Sequence, residues 1–433
     1  MPLIFSRKIA WKNQSIIMLI NRNLYLQRLV SRMHNGMVKV ITGIRRSGKS
    51  FLLFEIFRQY LLDHGVSADH ILGLQLDRFE NRRYRDPEEL LAFMNARIVD
   101  DGRYYILLDE VQMLEHFSEV LNSFLYRKNV DLYVTGSNSK FLSTDVLTEF
   151  RGRGDEVHIF PLSFSEFMQV YRGESADAWL EYATYGGLPQ VVLMSEYEQK
   201  SGFLKRLFEE TYIKDIIERN GILKTREIED VVNIVASSIG SLTNPTKIAD
   251  TFKSKLKSSI SPNTVRSYIN CLKEAFLISE AQRFDVKGRR YIGSPTKLYF
   301  EDVGLRNARL NFRQMEEMHL MENIIYNELR MWGYSVDVGS VNKRQMLEGR
   351  NLSHQLEVDF VANLGNRRCY IQSALSLPDQ RKRDQEKASL LAIKDAFRKI
   401  IIIKDGLEQG YDDDGILYIN LKKFLLNPEA LLE

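Results

Sequence analysis

Eight consecutive residues, Gly43-Ile44-Arg45-Arg46-Ser47-Gly48-Lys49-Ser50, have the types and spacing needed to hold a chain of phosphates. Binding an oxyanion through the main chain requires amide N–H groups that can converge on it, which Gly43 and Gly48 permit. It also requires a helix N-terminus whose partial positive charge faces the anion. An amphipathic helix starting near Lys49 meets that second need, and Phe51 opens its apolar face. The expected phosphate-binding set is therefore Gly43, Ile44, Arg45, Arg46, Ser47, Gly48, Lys49, Ser50 and Phe51, with ATP and Mg²⁺ as the ligands. Lys49 is expected to reach the β- and γ-phosphates, and the Ser50 hydroxyl to ligate Mg²⁺.

The second half of such a site is a buried strand ending in a carboxylate, because Mg²⁺ prefers hard oxygen ligands and keeps several waters. Tyr104-Tyr105-Ile106-Leu107-Leu108-Asp109-Glu110 fits, with Asp109 as the metal ligand through water and Glu110 as general base toward the attacking water. A further apolar strand ends in Thr135-Gly136-Ser137-Asn138. Ser137 is the expected γ-phosphate sensor there, although the same residues also read as a turn. Arg153, in Arg151-Gly152-Arg153, is the expected arginine for transition-state charge, acting in cis or across a subunit boundary; a solvated basic loop fits the same residues.

These residues need elements to position them. From residue 37 onward, apolar strands (37–41, 71–76, 104–108, 132–134) alternate with amphipathic helices (51–62, 88–99, 120–126), which predicts a parallel sheet with helices on both faces. A short strand at 157–160 follows, then 161–220 is almost wholly helical in period and reads as a lid. Residues 221–302 carry short helices and two strands around Lys287-Gly288. Residues 303–433 open with a helix and continue as strands near 357–362, 368–372 and 399–403. The expected division is an extension at 1–17, a core at 18–160, the lid at 161–220, and two modules at 221–302 and 303–433.

Composition agrees with several domains, since 433 residues exceed one core. Apolar residues at 44% and charged residues at 27% match a soluble protein. No uncharged apolar run approaches the roughly 18 residues needed to span a bilayer. Cytoplasmic residence without membrane contact is expected, and the apolar run at 16–20 is too short for an export signal. Cys271 and Cys369 alone exclude a disulfide framework or a cysteine zinc site. A formal charge of +3 makes any nucleic-acid surface local.

With these residues in view, the sequence resembles bacterial and archaeal ATPases of the AAA+ superfamily whose C-terminal part is the DUF4143 domain. The resemblance rests on the glycine loop, Leu108-Asp109-Glu110-Val111-Gln112, Thr135-Gly136-Ser137 and Phe160-Pro161-Leu162-Ser163-Phe164-Ser165-Glu166-Phe167. Tyr185-Gly186-Gly187-Leu188-Pro189 and Glu357-Val358-Asp359-Phe360 complete it. It implies that Gly187 and Pro189 form part of the wall around the adenine ring, while locally they read as a tight turn between helices. The expected fold class is α/β: a P-loop NTPase parallel-sheet core with a helical lid, a winged helix and a restriction-endonuclease-like domain.

In the third segment, Ser261-Pro262-Asn263-Thr264 reads as a helix start with Ser as N-cap and Pro in the first turn. Two helices followed by two strands are similar to a winged helix-turn-helix, whose second helix enters a major groove and here offers Asn263, Thr264, Arg266 and Lys273. Lys253, Lys255, Lys257 and the basic turn 287–290 suit phosphates, or equally a solvated face. DNA and an unidentified protein are thus the expected partners, with oligomerisation left open. The last segment resembles the restriction-endonuclease-like fold, supplying Glu322, Glu357 and Asp359. Its next strand reads Ile371-Gln372-Ser373-Ala374 where Glu-x-Lys belongs, so nuclease silence is expected unless a lysine comes from elsewhere, with Lys343, Arg344 and Arg368 as candidates. The expected reaction is Mg²⁺-dependent hydrolysis of the β–γ bond of ATP, used as a switch. A DNA-binding regulator with ATP only as ligand, or an active nuclease, are the rival readings.

Overall fold

Strands that are buried along their whole length can only be satisfied with both faces covered. In β1 (Val38–Thr42) and β3 (Tyr104–Asp109) every residue is buried. With β2 (Ile71–Gln75), β4 (Val130–Thr135) and β5 (Gly154–His158) they form an all-parallel sheet in the order β2-β3-β4-β1-β5. The computed structural model describes residues 20–136, 152–347, 350–406, 410–427 and 431, the strand residues within 343–353 by their backbone alone. The expected extension at 1–17, Arg151 and Ser137 therefore lie outside the described residues.

Contacts divide the chain into two compact units, Met1–Glu174 and Ser175–Glu433. In the first, α1 (Asn23–Val30) precedes the sheet and α2 follows β1. The latter runs as Lys49–Phe51 and Arg58–Asp63 with a π-type stretch, Leu52–Phe57, between them. α3 (Pro87–Asn95) starts where the sequence signals it. Pro87 occupies the first turn, and the Asp86 carboxylate accepts hydrogen bonds from the N–H groups of Glu88 and Glu89. α4 (Phe117–Leu125) lies between β3 and β4, and α5 (Phe164–Met168) closes the unit with a capping box between Ser163 and Glu166. The unit boundary thus falls within the stretch read as one helical lid, because Glu166 of α5 and Gln169 just after it bond back to Arg22 and Asn21 of the first unit.

The second unit opens with α6 (Ala178–Tyr185), α7 (Pro189–Val192) and a long helical run through Tyr197–Arg206, Leu207–Ile213 and Lys214–Asn220, labelled α8. Then come α9 (Thr225–Ser237), α10 (Pro245–Lys255), α11 (Pro262–Glu274) and a hairpin of β6 (Ile278–Asp285) with β7 (Arg290–Phe300). α10, α11 and the hairpin follow in the order of two helices and two strands expected from the sequence. The hairpin, however, does not end a module at residue 302. β6 pairs in parallel with β8 (Ser335–Leu347) through Arg283–Asp285, so the hairpin continues an eight-stranded sheet of order β12-β13-β11-β10-β9-β8-β6-β7.

Its other strands are β9 (Arg350–Leu364), β10 (Arg367–Ala374), β11 (Arg398–Ile403), β12 (Gly410–Tyr411) and β13 (Leu417–Asn420). The four isoleucines that end β11 are buried, as expected for a strand flanked in parallel by β10 and β13, each contributing about 1.5–3 kcal/mol. Helices α12 (Val303–Arg309), α13 (Glu317–Met331), α14 (Gln380–Leu391) and α15 (Leu421–Leu426) complete the unit. No helix among the described residues is long and apolar enough to cross a membrane.

Candidate functional site

In an open parallel sheet, ligand crevices form beyond the carboxyl ends of the strands where the strand order reverses. β1 is such a strand, lying between β4 and β5 although the chain continues to β2. Register aligns the ends: Ile41 stands opposite Thr135, and Leu108 opposite Val134. The glycine loop, Asp109 and Thr135 therefore meet at one edge.

The loop takes a conformation its sequence allows. Gly43 has φ +133°, and a Cβ there would meet the Ile159 carbonyl oxygen at 2.1 Å; Gly48 has φ +96° where α2 begins. Arg46 is left-handed as well, at φ +66°. Lys49 is nearly buried, and its ammonium donates to the carbonyls of Gly43 at 2.9 Å and Ile44 at 3.1 Å. Burial pushes its pKa down to about 8, although the Glu110 and Asp109 carboxylates pull the other way. The Ser47 hydroxyl is fully buried and, among the described residues, has no hydrogen-bond partner, an orphan polar atom inside the loop.

Ser50 donates to the Asp109 carboxylate, which the Thr135 hydroxyl also meets. Burial raises the pKa of Asp109, while those two hydroxyls act against the rise. Glu110 follows at φ +50°, its N–H donating to Thr135 Oγ1 at 3.0 Å and its carboxylate accepting from the Gln112 side-chain amide. Thr135 is thus a site residue that the sequence did not single out, two positions before Ser137, which lies outside the described residues. The signal was available, because the end of a buried strand is where a side chain must face the neighbouring strand end.

Arg153 is exposed and sits just before β5, its carbonyl accepting from the N–H of Val38 at 2.8 Å and its guanidinium 5.9 Å from the Tyr126 ring centre. β5 runs parallel to β1, so Arg153 lies at the amino edge, one strand length of roughly 15 Å from the loop. Its action toward a phosphate, in cis or across a subunit boundary, stays an expectation. Gly187 and Pro189 belong to the second unit. The Gly187 N–H donates to Asp302 at 2.8 Å, Pro189 starts α7, and a Cβ on Gly186 (φ +74°) would meet the Asp302 carboxylate at 2.4 Å. Locally they form a clamped turn.

The second unit also brings Glu322, Glu357 and Asp359 together, around a lysine. Lys297 of β7 places its ammonium 2.7 Å from both Glu322 and Glu357, and Tyr299 donates to Glu322 at 2.6 Å. Asp359 accepts from the Ser373 N–H and hydroxyl at 2.8 and 2.7 Å and from Gln372 at 3.2 Å. Burial opposes charge on Lys297, but the three carboxylates outweigh it and hold its pKa above the ordinary value. Burial pushes Glu322 up to about 7. Among the described residues no group of three or more His, Cys, Asp or Glu is arranged to hold a metal ion. Arg368 lies elsewhere, bonded to Asn363 and stacked near Phe284 and Phe397, and the side chains of Lys343 and Arg344 lie outside the described residues.

Lys297→Met should leave Glu322 without its partner and cost about 3 kcal/mol, the low end for a buried pair because Glu357 is half-exposed. Since Glu322 takes up a proton below about 7, that loss should shrink as pH falls toward 5. Urea unfolding at both pH values measures it, and a pH-independent difference would refute the charge argument.

Two family models match the chain: "AAA domain" over residues 35–168 and "Domain of unknown function (DUF8612)" over 176–316. The first agrees with the AAA+ part of the resemblance. The second stands in place of the DUF4143 expectation. The motifs quoted for that expectation, apart from Glu357-Val358-Asp359-Phe360, lie between Gly43 and Pro189 and discriminate poorly among C-terminal partners. An uncharacterized protein of Haemophilus influenzae is 33% identical over 414 residues, covering 94% of this chain and 99% of its own length. One from Methanocaldococcus jannaschii is 26% identical over 396 residues, covering 87% and 82%. A solved structure of the Aeropyrum pernix ORC1 protein in complex with DNA is 13% identical, covering 68% of this chain and 93% of that one. Its TM-score of 0.30 adds nothing to the strand order described above.

Proposed function

We propose that this chain, which belongs to one family with its Haemophilus influenzae relative and matches the AAA domain model over residues 35–168, binds and hydrolyses ATP with Mg²⁺ as a nucleotide-controlled switch. The observation that carries the reading is the meeting of loop, Ser50, Asp109 and Thr135 at one sheet edge, beside an orphan serine hydroxyl. Two hard oxygens, the Ser50 hydroxyl and the Asp109 carboxylate, fit the few protein ligands that Mg²⁺ takes. When bound there, the ion supplies charge neutralisation for the β- and γ-phosphates.

The protein's own residues do the rest. Gly43 and Gly48 let loop amides converge on the phosphates, and Lys49 exchanges its two loop carbonyls for phosphate oxygens. Thr135 holds Asp109 and the backbone of Glu110 together, and Glu110 orients and deprotonates the attacking water. Gly187 and Pro189 are proposed for the adenine wall, and Arg153 for a neighbouring subunit's phosphate.

Calorimetry with Mg·ATP tests the reading and carries a pH signature. In the empty protein Lys49 loses its proton near pH 8, whereas a triphosphate beside it restores the charge. Near pH 9 binding should take up a proton, so heats measured in buffers of high and low ionisation enthalpy should differ; near pH 6.5 they should agree. Affinity should weaken as pH rises through 8. No binding heat at either pH would refute nucleotide binding.

DNA is proposed as partner on one observation. Lys253, Lys255, Lys257, Arg266, Lys287, Arg289 and Arg290 are all exposed, with Asn263 exposed at the start of α11. Hydrolysis rates with and without duplex DNA separate a DNA-coupled ATPase from a regulator that uses ATP only as ligand.

A further inference from the structure

Resting on the nucleotide reading above, we propose that Arg22 is a positioning residue that sets the direction of a phosphate-binding amide in the loop. Arg22 precedes α1 and is 4% exposed. Its guanidinium makes three directed bonds: Nε to Glu166 Oε1 at 3.1 Å, Nη1 to the Ser47 carbonyl at 2.8 Å and Nη2 to the Phe160 carbonyl at 2.8 Å. A planar fork with fixed donor directions suits such a three-way tie, and a lysine could not reproduce it.

Every part of the tie is itself held. The guanidinium lies 4.5 Å from the Tyr25 ring centre, and the Tyr25 hydroxyl accepts from the Phe160 N–H at 3.1 Å. The Asn21 N–H donates to Gln169 at 2.8 Å. Glu166 is fixed by its capping box, accepting from the Ser163 N–H at 3.0 Å while its own N–H donates to Ser163 Oγ at 3.0 Å.

The consequence follows from peptide geometry. In a trans peptide the carbonyl and the following N–H point in opposite directions, and among the described residues the cis bond is Ser294-Pro295. With the Ser47 carbonyl turned to Arg22, the Gly48 N–H must face the other way. Gly48 is the N-cap of α2, so this amide is one of the orphan donors of a helix start. Glycine at this position leaves the peptide free to rotate when nothing holds it. Arg22 removes that freedom before the phosphate arrives, which is how preorganised donors gain affinity.

Full-length Arg22→Ala, Arg22→Lys and Glu166→Gln proteins test this by calorimetry with Mg·ATP and by steady-state hydrolysis. Both Arg22 variants should bind ATP about tenfold or more weakly, with KM raised and kcat at saturating ATP within about twofold. Glu166→Gln keeps both carbonyl bonds and should lose less than threefold by the same measure. Millimolar methylguanidinium should restore ATP affinity to Arg22→Ala without moving the Tm of the nucleotide-free protein. Parental affinity in both Arg22 variants overturns the proposal. So does an equal loss in Glu166→Gln, which would assign the effect to the ion pair, or rescue of Tm without rescue of ATP affinity. If the parental chain binds no ATP, the nucleotide reading itself fails, a result distinct from all of these.

Discussion

Lys49→Met protein should give no measurable heat with saturating Mg·ATP, a loss of at least about 100-fold in affinity. The ammonium is the loop's buried cation, and among the described residues it donates to the carbonyls of Gly43 and Ile44. A triphosphate offers it charged acceptors in their place, and charge-assisted bonds in a water-poor site are the strong ones. The same substitution should not harm the fold. The lowered pKa of Lys49 says that burial disfavours its charge, so replacing it with an unbranched apolar chain removes that penalty. An equal or higher Tm without nucleotide, combined with absent binding, is the expected pair of results. Retained binding would mean that the loop grips no phosphate.

Glu110→Gln should separate binding from turnover. Removing a general base costs about 10²- to 10⁴-fold in rate, while the loop, Ser50 and Asp109 stay as they are. The amide of the variant keeps an oxygen that can accept from Gln112, and the backbone bond to Thr135 does not depend on the side chain. ATP affinity should therefore hold or tighten slightly, since one negative charge near the phosphates is gone. Single-turnover hydrolysis with calorimetry on the same preparation measures both. Hydrolysis at the parental rate would remove Glu110 from the base role, and loss of binding in parallel would make it a ligand. The stalled complex is also suited to capturing a partner from native extract.

The wing-like hairpin and the last segment form one sheet, which bears on any switch mechanism. β6 pairs with β8, and Lys297 of β7 ties the hairpin to α13 and β9 through Glu322 and Glu357. A hairpin joined by backbone pairing and a buried ammonium is held rigidly to its sheet. Contact with DNA through α11 or the 287–290 turn would therefore be felt across the eight-stranded sheet, and not by an independent module.

The residues divide by how far apart the partners stand in the chain. The glycine loop, the Asp109-Glu110 pair and the alternation of strands and helices were legible because each is a contiguous run. Its chemistry or period depends on neighbours one to seven residues away. The capped start at Ser261 was equally local. Tertiary structure alone decided the rest. Strand register chose Thr135 at the described edge and put Arg153 at the opposite one. Sheet continuation brought Lys297 among three carboxylates that sequence reasoning had left without a lysine. Arg22 meets Glu166 across 144 positions of chain. Parallel strands can be ordered in many ways without changing the pattern of any one of them. Which side chains share an edge is therefore fixed by packing the whole sheet, and no single segment records it.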